Sequence, residues 1–192
     1  MKTSIAILML LSVVCHAQDS TTNYTQKYVW RALILTPGIT HEVRLGPKIT
    51  FVPTLQLGGG FVASGTRAGT LPGNSSGFYS SYYLNVVASA EGRYYYNIAK
   101  RLQQGKSINA NSANYLSIGA ISESAPFTEQ YLSSIELARP DNDVGLRALW
   151  GLQRTYRRNF YLNLAAGVGV STRGTGFAGS IQLGYTLPTR KR

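Results

Sequence analysis

Large apolar side chains recur at every second residue along most of this chain, a period of two that fits a β-strand with one apolar face. From Ile49 to Ala63 the odd positions carry Ile49, Phe51, Leu55, Leu57 and Phe61, while the even ones include Thr50, Thr54, Gln56 and Gly58. Between Phe78 and Ile98 the apolar residues move to even positions, among them Tyr82, Leu84, Val86 and Tyr94, and Asn85, Ser89, Glu91 and Arg93 take the other face. The pattern returns at Val144, Leu146, Trp150 and Leu152, and again at Phe160, Leu162, Leu164, Val168 and Val170. Eight such segments can be placed, at residues 28–35, 39–45, 49–64, 78–98, 114–124, 144–154, 160–171 and 177–187. The first is the least regular, because Trp30 to Leu35 hardly alternates. An even number of strands with both chain ends on one rim predicts an all-β fold, an eight-stranded antiparallel up-and-down transmembrane β-barrel.

The choice of face separates a soluble barrel from a membrane barrel. A soluble barrel turns its large apolar residues inward, whereas a membrane barrel turns them to lipid and fills its interior with small and polar side chains. The polar face here is rich in Gly, Ser, Asn and Ala and poor in the Lys and Glu that coat soluble sheets; only 14% of the chain is charged, and 20 residues are glycine. Aromatic residues gather near strand ends, at Tyr28 and Trp30, Phe78 to Tyr83, Tyr94 to Tyr96, Phe160 and Tyr161, and Phe177 and Tyr185, as interfacial girdles do. The competing fold is a soluble lipocalin-like barrel or β-sandwich, in which those aromatics form the core.

The first residues read as a targeting segment. Lys2, an apolar run from Ile5 to Val14, and Cys15-His16-Ala17 fit a secretory signal cleaved after Ala17, so residues 1–17 are expected to be a signal peptide and 18–192 the barrel domain. A lipoprotein signal acylated at Cys15 is the alternative. No later stretch approaches the ~18 continuous apolar residues of a membrane-spanning helix. Cleavage leaves no cysteine, one histidine (His41) and eight acidic residues, so no metal site and no cofactor are expected.

The formal net charge is +11, and its distribution tests the strand order. With a periplasmic N-terminus, Lys48, Lys100, Arg101, Lys106, Arg154, Arg157 and Arg158 fall on one rim, with Lys27 and Arg190 to Arg192. Glu129, Glu136, Asp141 and Asp143 fall in the opposite, longer loops. A basic periplasmic rim suits anionic phospholipid headgroups, so outer-membrane lipids are the expected partners. Nucleic acid is not expected, since no DNA- or RNA-binding motif accompanies the charge. Alternation turns Glu42, Arg44, Glu91, Arg93, Glu123 and Arg147 inward. An eight-stranded interior is only wide enough for side chains, so these charges are expected to form an ion-pair network that shuts the lumen.

The run Glu91-Gly92-Arg93-Tyr94-Tyr95-Tyr96-Asn97, with Lys100-Arg101, Gly105-Lys106 and Asn111-Ser112-Ala113-Asn114-Tyr115-Leu116, resembles small outer-membrane β-barrel proteins of Bacteroidetes-type bacteria. In that family a second strand carrying a Glu, here Glu42, leads into a Gly/Pro/Lys turn, here Gly46-Pro47-Lys48. The resemblance implies an eight-stranded barrel like that of outer-membrane protein A. The present chain departs from many such barrels in running past Tyr185 and Leu187 to Arg192 instead of ending on an aromatic residue.

No catalytic constellation emerges. Outer-membrane lipid A deacylases place a Ser two residues from a His, and His41 has none there; His41 and Glu42 are strand neighbours whose side chains take opposite faces. Gly58-Gly59-Gly60 lies within a strand and precedes no helix, so it is not a phosphate loop. The expectation is a monomeric, non-enzymatic barrel of the cell outer membrane with a structural or surface-interaction role, any ligand being met by loops 65–77 and 125–143. A small pore or transporter is the alternative, and a lipid-modifying enzyme a third.

Overall fold

The computed structural model describes residues 23–66, 77–131 and 142–188. Residues 1–22, which include the expected signal peptide 1–17, residues 67–76 and 132–141 of the two expected long loops, and residues 189–192 lie outside the described residues.

Nine strands, β1 (Tyr28–Leu33), β2 (Gly38–Arg44), β3 (Ile49–Thr66), β4 (Gly77–Tyr94), β5 (Asn114–Glu123), β6 (Thr128–Tyr131), β7 (Asp143–Thr155), β8 (Phe160–Ser171) and β9 (Gly174–Leu187), form one antiparallel sheet. The sheet closes, because β9 returns to β1 with Arg31 opposite Thr186 and Ala32 opposite Tyr185. β5 and β6 are two lengths of a single stave. β5 pairs with β4 from Val87 opposite Glu123 to Tyr94 opposite Leu116, and β6 pairs with the same strand further along, from Ser81 opposite Tyr131 to Leu84 opposite Thr128. The wall therefore has eight up-and-down staves, as the alternation predicts.

Besides β6, which puts Thr128–Tyr131 of the expected loop 125–143 into the wall, strand ends differ from expectation chiefly in three places, each with a local cause. The fourth strand stops at Tyr94, and the chain turns into helix α1 (Ile98–Gln103). Gly105, at φ +66°, ends α1: its N–H donates to Leu102 O and that of Lys106 to Arg101 O, the paired bonds of a left-handed helix terminus. The first strand stops at Leu33, where the Ile34 N–H crosses to Leu183 O. The last begins at Gly174, directly after a two-residue turn, and not at Phe177.

The facing of the strands follows the alternation. Val29, Arg31 and Leu33 point inward from β1, Thr40 and Glu42 from β2, Thr50, Val52 and Thr54 from β3, and Glu91 and Arg93 from β4. Outward lie Ile49, Phe51, Leu55 and Leu57, Leu84 and Val86, Leu146 and Trp150, Leu164 and Val168, and Phe177 and Ile181. Tyr95, Ile98, Ala113 and Tyr115 form a small apolar cluster at the end where β4 gives way to α1. Tyr95 and Tyr161 are thus wholly buried inside, contrary to the reading that put both in a girdle. Each sits at an odd position, continuing the inward series of its stave.

Interior space is tight around Tyr115. A Cβ at Gly151 would lie 2.2 Å from Tyr115 Cζ, so the facing stave has to carry glycine there. Gly151→Ala is expected to lose about 1–3 kcal/mol of unfolding free energy through overpacking, whereas Gly176→Ala, whose Cβ meets nothing within 4 Å, should change it by less than ~0.5 kcal/mol. Chemical unfolding of the two variants checks the contrast.

Candidate functional site

The interior is organised by two carboxylates. Glu42 is wholly buried, and its oxygens accept from four sides: Arg31 Nη2 at 2.7 Å, Thr50 Oγ1 at 2.7 Å, Tyr95 OH at 2.6 Å and Gln153 Nε2 at 3.4 Å. Those donors come from β1, β3, the segment after β4, and β7. Glu91 accepts from Arg93 Nε at 3.0 Å and is ion-paired with Arg147 Nη2. Gln153 joins the halves, because its Oε1 accepts from Arg93 Nη1 at 2.8 Å while its Nε2 reaches Glu42. Two rings complete the cluster, with the Arg31 guanidinium 4.6 Å from the centre of Tyr161 and that of Arg93 4.5 Å from Tyr115. Beyond them Tyr115 OH donates to Asn163, Asn163 Nδ2 to Gln182 Oε1, and Gln182 Nε2 to Gln56.

Of the six residues expected in the network, Glu42, Glu91, Arg93 and Arg147 are brought together. Arg44 and Glu123 are not. Arg44 lies two residues nearer the rim than Glu42, about 7 Å along the strand, and donates to Thr25 O at 3.0 Å. Glu123 lies four residues beyond Gly119, the residue paired with both Glu91 and Arg147, hence about 13 Å along the wall. It has no ion-pair partner among the described residues. Arg31 was missed, although it stands between the inward Val29 and Leu33; the irregular hydropathy of the first strand hid its alternation.

The network meets a plug that the sequence did not reveal. Residues 95–113 fold back over one end of the barrel, and Ala110, Asn111, Ser112 and Ala113 are buried there. Ala110 and Asn111 adopt φ of 47° and 62°, which aims their carbonyls at the network: Ala110 O accepts from Arg31 Nη2 at 2.8 Å and from Gln153 Nε2 at 3.0 Å, and Asn111 O from Gln153 at 3.1 Å. Ser112 Oγ accepts from the Thr155 N–H at 2.7 Å, and Asn111 Oδ1 from the Gln26 N–H at 2.7 Å. The plug is thereby tied to β7 and to the segment leading into β1.

Strand order places all seven expected rim cations at this plugged end. Lys48 follows β2, with its Nζ 5.6 Å from the centre of the Tyr24 ring. Lys100 and Arg101 sit on α1, Lys106 just after it, Arg154 at the end of β7, and Arg157 and Arg158 in the 3-10 turn Arg157–Asn159. None forms an ion pair among the described residues. Glu123, Glu129 and Asp143 lie towards the other end. Outward aromatics collect near the plugged rim: His41 stacks on Trp30 with ring centres 3.8 Å apart, Trp150 Nε1 donates to Tyr96 OH at 2.9 Å, and Phe160 meets Tyr185 edge-on. His41 therefore shares the aromatic outer face while Glu42 turns inward. Among the described residues no group of three or more His, Cys, Asp or Glu is placed to hold a metal ion.

Comparison with known protein families, with curated proteins and with solved structures finds no match to this chain.

Removing the Glu42 carboxylate leaves the buried Arg31 without its counter-charge. Glu42→Ala is expected to cost about 3–5 kcal/mol of unfolding free energy, and Arg31→Met combined with Glu42→Leu to recover much of it. Lys106→Ala on the rim should stay within ~0.5 kcal/mol. Unfolding curves for all four proteins measure the pattern.

Proposed function

We propose that the chain is an outer-membrane β-barrel with a structural or surface-interaction role, its lumen closed at the periplasmic end by the ion-pair network and the plug. The observation that carries this reading is the inverted polarity of the wall. Its described outer face bears one charged strand residue, Arg154 at the rim, while two Glu and three Arg side chains are packed inside. In water such a wall would expose a continuous belt of Ile, Leu, Val and Phe, far larger than the patches soluble monomers carry. In lipid the same belt is the favourable face.

Dimensions support the reading. Along β8 the outward residues run from Phe160 to Val170, ten residue steps. At ~3.3 Å per step and ~40° tilt that is about 25 Å across the membrane, the height of a lipid-facing band. Aromatic rings gathered near one rim and unpaired Lys and Arg around it suit a headgroup interface facing anionic phospholipid. The cleaved signal in residues 1–17, the resemblance to Bacteroidetes-type barrels, a monomeric state and surface contact through loops 65–77 and 125–143 belong to the same proposal.

The protein is expected to fractionate with the outer membrane and to change gel mobility on boiling, as closed barrels resist detergent until heated. Recovery as a soluble periplasmic protein overturns the proposal. Protease added to intact cells should cut at Arg67 or Arg139 and spare Arg157-Arg158; the reverse pattern inverts the topology. Planar-bilayer recordings should show no steady channel, since network and plug together occupy one end, and steady conductance would favour the pore alternative.

A further inference from the structure

At the end of the barrel away from the plug, the described residues leave space between the staves. A cavity of about 260 Å³ lies there, walled by Gln56, Tyr83, Asn85, Glu123, Arg147 and Gln182. It shares Glu123 and Arg147 with a recess of about 450 Å³ that extends to Asp143 and Arg173. Since an eight-stranded interior is just wide enough for side chains to fill, such space requires that the staves carry small residues here. Gly58 is one of them: a Cβ at this position would come within 2.4 Å of Asn85 Oδ1. Asn85 is nearly buried, and its Oδ1 has no hydrogen-bond partner among the described residues. That oxygen packs against Gly58 with almost no exposed surface, so Asn85 meets the cavity with the rest of its amide.

We propose that this cavity binds a single monosaccharide-sized polyhydroxylated solute. Three of its walls are amides, Gln56, Asn85 and Gln182; Gln182 Nε2 donates to Gln56 Oε1 and Gln182 Oε1 accepts from Asn163 and Tyr161, so these two offer a ligand chiefly their remaining N–H groups. Hydroxyl groups accept as well as donate, so a ring bearing several of them can answer these N–H groups. Tyr83 adds an aromatic body for the C–H face of such a ring. At ~30 Å³ per water the cavity has room for eight or nine waters, which is the space of one hexose and far more than an inorganic ion uses. A free carboxylate ligand is the weaker match, because Arg147 is already engaged by Glu91. A cationic amine would have Glu123 alone to pair with.

The site rests on the cavity and not on the membrane location, so its test uses the purified full chain folded in an amine-oxide detergent, which has no sugar headgroup. Folding is verified by heat-modifiable mobility. Isothermal titration with glucose, galactose, mannose and N-acetylglucosamine is expected to give saturable one-to-one binding for at least one of them. Asn85→Leu should weaken that binding at least tenfold, and Glu123→Gln, which keeps an acceptor, should change it less than threefold. If Asn85→Leu does not fold, Gln56→Leu replaces it with the same expectation. No saturation by any sugar at 50 mM, on the order of the weakest affinity a specific site would show, overturns the proposal. So does unaltered binding in the amide variants. Saturable binding of lysine or ethanolamine that Glu123→Gln abolishes, with no sugar binding, reassigns the cavity to amines and also overturns it.

Discussion

The buried carboxylate of Glu42 is the interaction around which the rest of the barrel is arranged. An ion taken out of water costs several kcal/mol unless charge and hydrogen bonds replace its hydration. Glu42 meets that demand with Arg31, Thr50, Tyr95 and Gln153. Because these donors come from separate staves, satisfying one side chain requires that the ring be closed and in register. A slip of one residue in β1 or β2 would turn Arg31 or Glu42 to the outer face and leave its partner buried and uncompensated. Backbone pairing holds neighbouring strands together; the Glu42 cluster also specifies which strands face one another across the interior.

The same constraint makes the two ends of the barrel unlike. Towards the basic rim the inward positions carry Arg31, Arg93, Gln153, Tyr115 and Tyr161, side chains large enough to fill the space between walls. Towards the other end the described inward positions include Gly58, Ser89, Gly169 and Ser180, and open volume lies between the described walls. Stability and accessibility are thus assigned to different halves of one short barrel. Outside, the described residues carry an apolar belt along both halves, from Ile49 and Phe51 to Val168 and Phe177.

Much of this is legible in the sequence, and the departures have separate physical causes. Alternation reveals which face a residue takes, and it placed Glu42, Glu91, Arg93 and Arg147 inside correctly. It says little about depth along the stave, so Arg44 and Glu123 were grouped with a cluster that lies about 7 and 13 Å away along the strand. Hydropathy misled where a residue's polarity and its environment disagree: Tyr95 and Tyr161 read as interfacial aromatics, yet each is a hydrogen-bonded interior side chain. Arg31 was passed over because Trp30-Arg31-Ala32 does not look amphipathic, although Arg31 faces in and Trp30 faces out. The plug had the faintest signal. Gly105-Lys106 marks the end of a helix, but the left-handed backbone at Ala110 and Asn111 is imposed by tertiary contacts that no local preference of alanine would suggest.

Hydrogen-bond supply explains why a stretch of backbone, and not another pair of side chains, closes the end. Three guanidinium groups carry about fifteen N–H donors, whereas two carboxylates offer about eight acceptor sites, some of them taken by Thr50 and Tyr95. Even with every contact made, Arg31 Nε and Nη1 and Arg147 Nε lack an acceptor among the described residues. A third carboxylate would supply acceptors but would add another ion to desolvate. Backbone carbonyls supply them without a formal charge, and Ala110 and Asn111 present theirs only because φ there is positive. The local cost of holding a non-glycine residue in that region, about 1–3 kcal/mol, is set against one charge-assisted hydrogen bond donated by Arg31 to Ala110 O and those donated by Gln153 to Ala110 O and Asn111 O. The donor excess of the network and the strained turn of the plug are therefore two sides of one arrangement: each is stable because the other is present.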